Sequence, residues 1–527
     1  MSRTSKIVPI VAGAVWCMLS AGPIFGFSAL KPILSSQGVY NRYCSEEEIN
    51  NSVVCPKQDH KLNNLYVYCV VCTYAAYLFA ASIVNAYGPR SCAAIGSTVL
   101  FAGSLILSIA GVSKDSLVCL GLVIFATGGP FVFFSTLHLA GNISGQAPLI
   151  LSIFMGAMDS SAGVFSIYRY VYEHVYKYSL SQFFGLYLLV PLLILASQLV
   201  LPDSRNTVGS ILRMAHQKPS GNSNNSNRHT EDQDSETSRL LSNNDDMEID
   251  FTTAFRRTST TGTLNDVIKD PTEVSGVFGV LHDSDLSNQL FSFWFVFIVG
   301  FTLIQMLIIN SFIPTNYEQN HYVLDSIPAA NRLSRFFDVG LPLGGLVGIA
   351  FISPVLDSVP TIVVFSICTI ASALLTLLSL IPWEFVAEIR MTLFSLYRPF
   401  FFATVADYCA KVFGFDTYSI VYSLIMLLSG LGNCFNLYFD WLTYKVLHGN
   451  PVPVNVLFCV LSSVVGSLFL IHIWRQSKYI RRKQLEDEAR HAPVQSMPGS
   501  AYNSITDNSH PQNDCESGGC DNCVCEV

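Results

Sequence analysis

Charge is what this sequence has least of. Only 13% of its 527 residues are Asp, Glu, Lys or Arg, about half the share of an average globular chain. That shortage excludes a soluble enzyme of ordinary make-up and a charged disordered regulator alike. A basic excess is missing too. Thirty Lys and Arg stand against 38 Asp and Glu, a net charge of −8 at pH 7, so the footprint of a nucleic-acid binder is absent and no nucleic-acid partner is expected. No Gly-x-x-x-x-Gly-Lys-Ser/Thr loop occurs to cradle a nucleotide. The apolar runs hold no array of metal ligands, so neither metal nor cofactor is expected. What is plentiful is apolar: 50% of the residues are hydrophobic, 36 are Phe and 23 are Tyr, and mean hydropathy is +0.41. This composition predicts a multi-pass membrane protein whose main surroundings are a lipid bilayer.

A helix crosses the hydrocarbon core with about 20 mostly apolar residues. Twelve such runs are predicted, at 7–30, 64–86, 93–113, 117–140, 149–171, 181–202, 287–313, 334–356, 359–382, 388–410, 415–438 and 453–474. Barrel strands would alternate apolar and polar residues, and runs such as 183–201 do not. The first run is too long for a typical signal core and is read as a span. The charges inside the runs are Asp159, Arg169, Arg335, Asp338, Glu388, Arg390, Arg398, Asp407 and Asp416. An even number of spans puts both termini on one side. Placing that side in the cytoplasm gives it 18 Lys and Arg against ten opposite, the bias expected of cytoplasmic loops.

The fold class read from this pattern is an all-α integral membrane protein. Residues 1–202 form an N-terminal six-helix half and 287–474 a C-terminal one. Between them, 203–286 includes the run GNSNNSNRHTEDQDSETSRLLSNNDD, too polar to fold alone and expected to be a disordered cytoplasmic loop. The tail 475–527 is read the same way. Two six-helix halves around a long loop is the layout of the major facilitators, whose halves rock about a site near the midplane. After the second span, those proteins carry a gating motif, Gly-x-x-x-Asp-Arg-x-Gly-x-Arg/Lys. Here Gly88, Pro89 and Arg90 keep the turn, while Asn85 and Ala86 replace the Asp–Arg pair. The segment reads equally as a plain tight turn with one basic residue.

Further motifs narrow the likeness. The stretch Gly26 to Cys44, followed by Cys55, Gln58, Asp59, Leu62 and Asn63, resembles solute carrier family 43. So do Gly128-Gly129, the run GAMDSSA at 156–162, and Arg398-Pro399-Phe400 with Tyr408 downstream. The resemblance covers both halves but neither the central loop nor the tail. It implies a facilitator working by alternating access on a small-molecule substrate, either large neutral amino acids or purine nucleobases, without ATP hydrolysis or covalent chemistry. Neutral amino acids are the first expectation. A non-transporting membrane receptor or scaffold is the other class carried forward, on the strength of the long central loop.

An ionisable group at bilayer depth is costly unless paired or hydrated, so it marks a functional candidate. Asp159, flanked by Ser160 and Ser161, reads either as lining a central cavity or as half of a structural pair. Arg398 clamps a carboxylate or pairs with an acid across the bundle. Gln305, Asn310, Asn433 and Asn436 are hydrogen-bonding candidates, although amides in membrane helices commonly tie neighbouring helices together. His138 reads as interfacial.

Cys44 and Cys55 share the first non-cytoplasmic loop, an oxidising space in the secretory pathway, and are expected to be bridged. Asn50, in the sequon Asn50-Asn51-Ser52, is a glycosylation candidate. In the tail, Cys515, Cys520, Cys523 and Cys525 match no standard zinc finger, and no prenylation box is present. Within the central loop, Glu236 with Leu240 and Leu241 resembles the acidic dileucine motif read by clathrin adaptors. It favours a vacuole or lysosome membrane, with the plasma membrane as the alternative.

Overall fold

The computed structural model describes residues 3–45, 55–110, 115–137, 147–200, 277, 279–282 and 284–491. Asn50, His138, the dileucine residues Glu236, Leu240 and Leu241, and the four tail cysteines lie outside the described residues. The described chain is helical throughout, with no strand. In lipid the backbone must satisfy its own hydrogen bonds, and a helix does so within one segment.

The first half comprises α1 (Arg3–Ser20), a 3-10 turn at Pro23–Gly26, α2 (Phe27–Ser36), α3 (Pro56–Tyr87), α4 (Pro89–Ala110), α5 (Asp115–Leu137), α6 (Ala147–Ser160), α7 (Gly163–His174), α8 (Leu180–Tyr187) and α9 (Leu189–Val200). The second comprises α10 (Leu286–Leu290), α11 (Phe293–Leu324), α12 (Ile327–Ser358), α13 (Thr361–Leu378), α14 (Glu384–Phe413), α15 (Phe415–Gly432), α16 (Phe435–Trp441) and α17 (Val452–His491). Local chemistry sets several starts. Pro56 and Pro89 sit at first helical positions, where a missing N–H costs nothing. Ser292 accepts from Phe295 N–H at 3.2 Å, and Ser179 with Gln182 closes a capping box on α8.

Among the described residues, nine helices are long and apolar enough to cross a membrane, ten with the bent first pair. The two remaining sequence-predicted spans, 149–171 and 388–410, are helical. The first is broken between α6 and α7, and the second carries Arg390 and Arg398 along α14. Helix ends depart from the apolar runs: α3 starts eight residues before Asn64 and α11 continues to Leu324. The boundary set at 475 also lies inside a helix, because α17 continues to His491. Part of the segment assigned to the central loop is tied down as well. Gly279 N–H donates to Lys411 O at 2.9 Å and Leu281 N–H to Val412 O at 3.0 Å.

The disulfide Cys44–Cys55 closes the link between α2 and α3, and the bundle end that carries it is called the disulfide end below. At the opposite end of α3, Gly88 turns the chain with φ +85° and Pro89 starts α4.

Candidate functional site

Several predicted spans are interrupted among the described residues, the first, fifth and eleventh among them. The first bends by 46° between α1 and α2. The fifth is interrupted at Ser161–Ala162, where the bonds tighten to Ser161 N–H to Met158 O at 3.2 Å and Ala162 N–H to Asp159 O at 3.4 Å. The eleventh is interrupted after Gly432, where Asn433 N–H reaches Gly430 O at 3.0 Å. Bare glycines let the first two breaks touch. A Cβ on Gly26 would run into the carbonyl oxygen of Ala162, and one on Gly129 of α5 into that of Ala21. Discontinuous spans expose backbone and side-chain polar groups at membrane depth only where protein or a cavity receives them.

Asp159, one residue from the fifth-span break, forms an ion pair with Arg398 of α14, and their side chains are 4% and 1% exposed. The pair therefore joins the two halves in the interior. Arg398 Nη1 donates to Asp159 Oδ1. Its Nε and Nη2 are buried with no hydrogen-bond partner among the described residues. The guanidinium lies 4.2 Å from the centroid of Phe25, just after the first-span break, and 5.4 Å from that of Phe402. An aromatic face partly offsets the cation's lost hydration. Beside the pair, a phenol bonds across the halves and an amide extends the chain of bonds within the second half. Tyr66 OH donates to Asn310 Oδ1 at 3.2 Å, and Asn310 Nδ2 donates to Asn433 Oδ1 at 3.0 Å.

The other candidates hold different places. Ser160 Oγ donates to Gly156 O at 2.7 Å and Pro342 O at 3.0 Å, fixing α6 to α12. Ser161 Oγ caps the break by donating to Met158 O at 2.5 Å. Gln305 belongs to the second half's own packing, accepting from Tyr397 OH at 2.8 Å and donating to Ser462 Oγ at 3.0 Å. Asn436 donates to Leu307 O at 3.3 Å. The structure thus brings Asp159, Arg398, Ser160 and Asn310 to the line between the halves, while Asn433, Asn436 and Gln305 bond within the second half.

No family model matches the sequence. Protein FMP42 of Saccharomyces cerevisiae is 34% identical over 486 residues, covering 90% of this chain and 96% of FMP42. The proton:xylose symporter XylE of E. coli, a major facilitator, superposes with a TM-score of 0.58 at 13% identity, over 90% of this chain and 96% of XylE. The chain belongs to the FMP42 family and has the major facilitator fold. Weaker likenesses cover about a third of each chain. Arginine transporter 1 of Toxoplasma gondii is 22% identical over 32% of this chain and 33% of its own. The large neutral amino acids transporter small subunit 3 of Homo sapiens is 23% identical over 28% and 29%.

This facilitator also carries a polar seam at the disulfide end that sequence reasoning missed. Lys31 Nζ donates to Asn63 Oδ1 at 2.7 Å and Pro314 O at 2.9 Å, pairs with Asp59 at 3.0 Å, and also pairs with Glu318 of the other half. Asn63 Nδ2 donates onward to Asp440 Oδ1 at 2.8 Å, and Asp440 also pairs with His60. Across the seam, Asp338 of α12 accepts from Ser28 Oγ at 2.7 Å and from Arg169 Nη1 at 2.5 Å, and Arg169 also donates to Glu173 and Ser334 at 2.9 Å. The signals in the sequence were Arg169 and Asp338, charges inside apolar runs, and Asp59 and Asn63, four residues apart and hence on one helix face. An adjoining cavity of about 160 Å³ is lined by Asp59, His60, Asn63, Glu318, Asp440 and Tyr444.

Proposed function

We propose that this facilitator moves a small organic solute, a neutral amino acid, by alternating access, with Asp159 and Arg398 as its central contacts. The observation that carries the reading is the pair itself: one anion and one cation, buried between the halves, with two guanidinium nitrogens still unpartnered among the described residues. The pair is electroneutral, so a solute of net charge entering it leaves an uncompensated charge in a low-dielectric site. A zwitterion does not. Its ammonium group faces Asp159 and its carboxylate takes the remaining donors of Arg398, in the bidentate manner a guanidinium favours. Phe25 and Phe402 flank the guanidinium and offer apolar surface to the side chain. The large neutral amino acids transporter named above, similar over part of its length, is consistent with this choice.

Radiolabelled uptake into proteoliposomes tests it, with leucine and phenylalanine against arginine, adenine and hypoxanthine, each with and without a pH gradient. Saturable leucine or phenylalanine uptake that unlabelled neutral amino acids compete away is the expected result. Uptake of bases alone transfers the function to purine nucleobases. Uptake of nothing leaves a receptor or scaffold. The pH-gradient arm separates proton coupling from uniport.

The address is proposed to be a vacuole or lysosome membrane, reached through a clathrin adaptor that takes up Glu236, Leu240 and Leu241. Replacing both leucines with Ala should redirect a tagged protein to the cell surface. Unchanged location would remove the motif from the account.

A further inference from the structure

Two arginines sit on α14 eight residues apart, and only one has a carboxylate. Arg398 is paired with Asp159. Arg390, 3% exposed, has no carboxylate partner among the described residues. Its Nη2 donates to the neutral amide oxygen of Asn320 at 2.7 Å, its guanidinium lies 4.8 Å from the centroid of Phe312, and its Nε is buried without a partner. Neither an amide nor a ring cancels a full charge, and a buried cation held this way is expensive unless an anion joins it.

The surroundings are built for such an anion. Arg390 lines a small cavity of about 20 Å³, room for one water-sized species, with Ser379, Thr376, Gln319 and Asn455, and none of the residues lining it is acidic. Three of them, Ser311, Gln319 and Asn455, also line the larger cavity of the disulfide end, which gives a route in. Asn455 Nδ2 spends one proton on Gln319 Oε1 at 3.4 Å and keeps the other for a second acceptor. The walls are otherwise Phe312, Phe394, Leu375 and Phe458, whose low polarity strengthens any ion pair formed there.

We infer that Arg390 is the centre of an anion site in the second half, separate from the Asp159–Arg398 pair, that takes a small monovalent anion. The anion is either a free halide or a carboxylate headgroup, since both offer one negative charge to the Nε–H and amide donors. The site is independent of the solute proposed above, and its test reads stability rather than uptake.

The measurement is the melting temperature of the purified full-length protein in sulfate buffer, whose divalent anion lies outside the proposed class, at constant ionic strength, titrated with chloride, bromide or acetate. A saturable rise is expected. Arg390→Gln should weaken the apparent affinity by about tenfold or more, the scale of one lost charged hydrogen bond. If Arg390→Gln does not fold, Asn455→Asp carries the test, because it places a carboxylate in the same cavity. That variant should melt at or above the wild-type value and ignore added anions. Response to chloride and bromide alone assigns a halide, and response to acetate alone assigns a carboxylate headgroup. A wild-type protein indifferent to all three anions overturns the inference, as does an Asn455→Asp protein that responds like wild type.

Discussion

The interior pair and the seam at the disulfide end use the same chemistry in opposite ways. At the seam, the donors are spent several times over: Lys31 meets two carboxylates, an amide oxygen and a backbone carbonyl, and Asp338 takes bonds from Ser28 and Arg169. The one unpartnered atom of these charged groups among the described residues is an acceptor, Glu318 Oε2. In the interior, Arg398 meets one carboxylate and two rings and keeps two of its nitrogens, Nε and Nη2, unused. A group with every donor spent has nothing left for a solute and can only hold surfaces together. One with donors in reserve can. The distribution of unspent hydrogen bonds therefore separates closure from recognition more sharply than the presence of charge does.

The comparison breaks first at its centre. Asp159→Asn leaves Arg398 buried without its counter-charge, which costs about 3–5 kcal/mol and should appear as a large fall in melting temperature together with lost uptake. Adding Arg398→Gln should restore the melting temperature but not the uptake. A double variant that transports normally would make the pair purely structural. Next comes the seam. Lys31→Met leaves Asp59 and Glu318 facing each other, at a smaller cost of about 2–3 kcal/mol because Glu318 is 29% exposed and partly screened. Here the rescue, Lys31→Met with Glu318→Gln, should recover both stability and uptake. If uptake stays lost, the seam touches solute and the contrast between the two regions fails.

The disulfide end offers a milder test of the same surface. Removing the Cys44–Cys55 bridge, with 11 residues of separation, frees a short loop and should cost about 2 kcal/mol with transport retained. Peptide mapping without reductant should recover the linked peptides, and alkylatable thiols at both positions would contradict the bridge. The smallest effect is expected off the line between the halves. Gln305→Leu removes an amide that serves Tyr397 and Ser462 and should lower stability by about 1 kcal/mol, leaving uptake unchanged.

Apolar length was legible because bilayer thickness imposes it on every span, so each predicted run is mostly helical where it is described, breaks and ends apart. Helix ends were not. The first turns of α3 hold Lys57, Asp59 and His60, and no apolar run announces them. The break after Ser160 was hidden too. Its cause is a neighbouring helix, with Gly26 pressed against Ala162 O, rather than a proline in the local sequence. At the site, Asp159 and Arg398 stood out because charge at bilayer depth is rare, and pairing across the bundle was among the readings offered. Lys31 did not stand out. It sits at the end of an apolar run like any snorkelling lysine, and its partner Glu318 is 287 residues away. Gln305 and Asn310 looked alike in sequence, five residues apart on α11, yet the turn of the helix sends one into the second half's core and the other to the interface.

Asp338 has a consequence for the tempo of movement. Its carboxylate is held by Ser28 of α2 and Arg169 of α7, while its carbonyl oxygen accepts from Ser166 Oγ at 2.6 Å. These three bonds converge on one residue of one helix, so α12 cannot slide away by releasing them in sequence without stranding a buried carboxylate. If the halves part at that end, as the proposed alternating access requires, all three bonds must be exchanged before α12 leaves, which favours an all-or-none opening over a graded loosening.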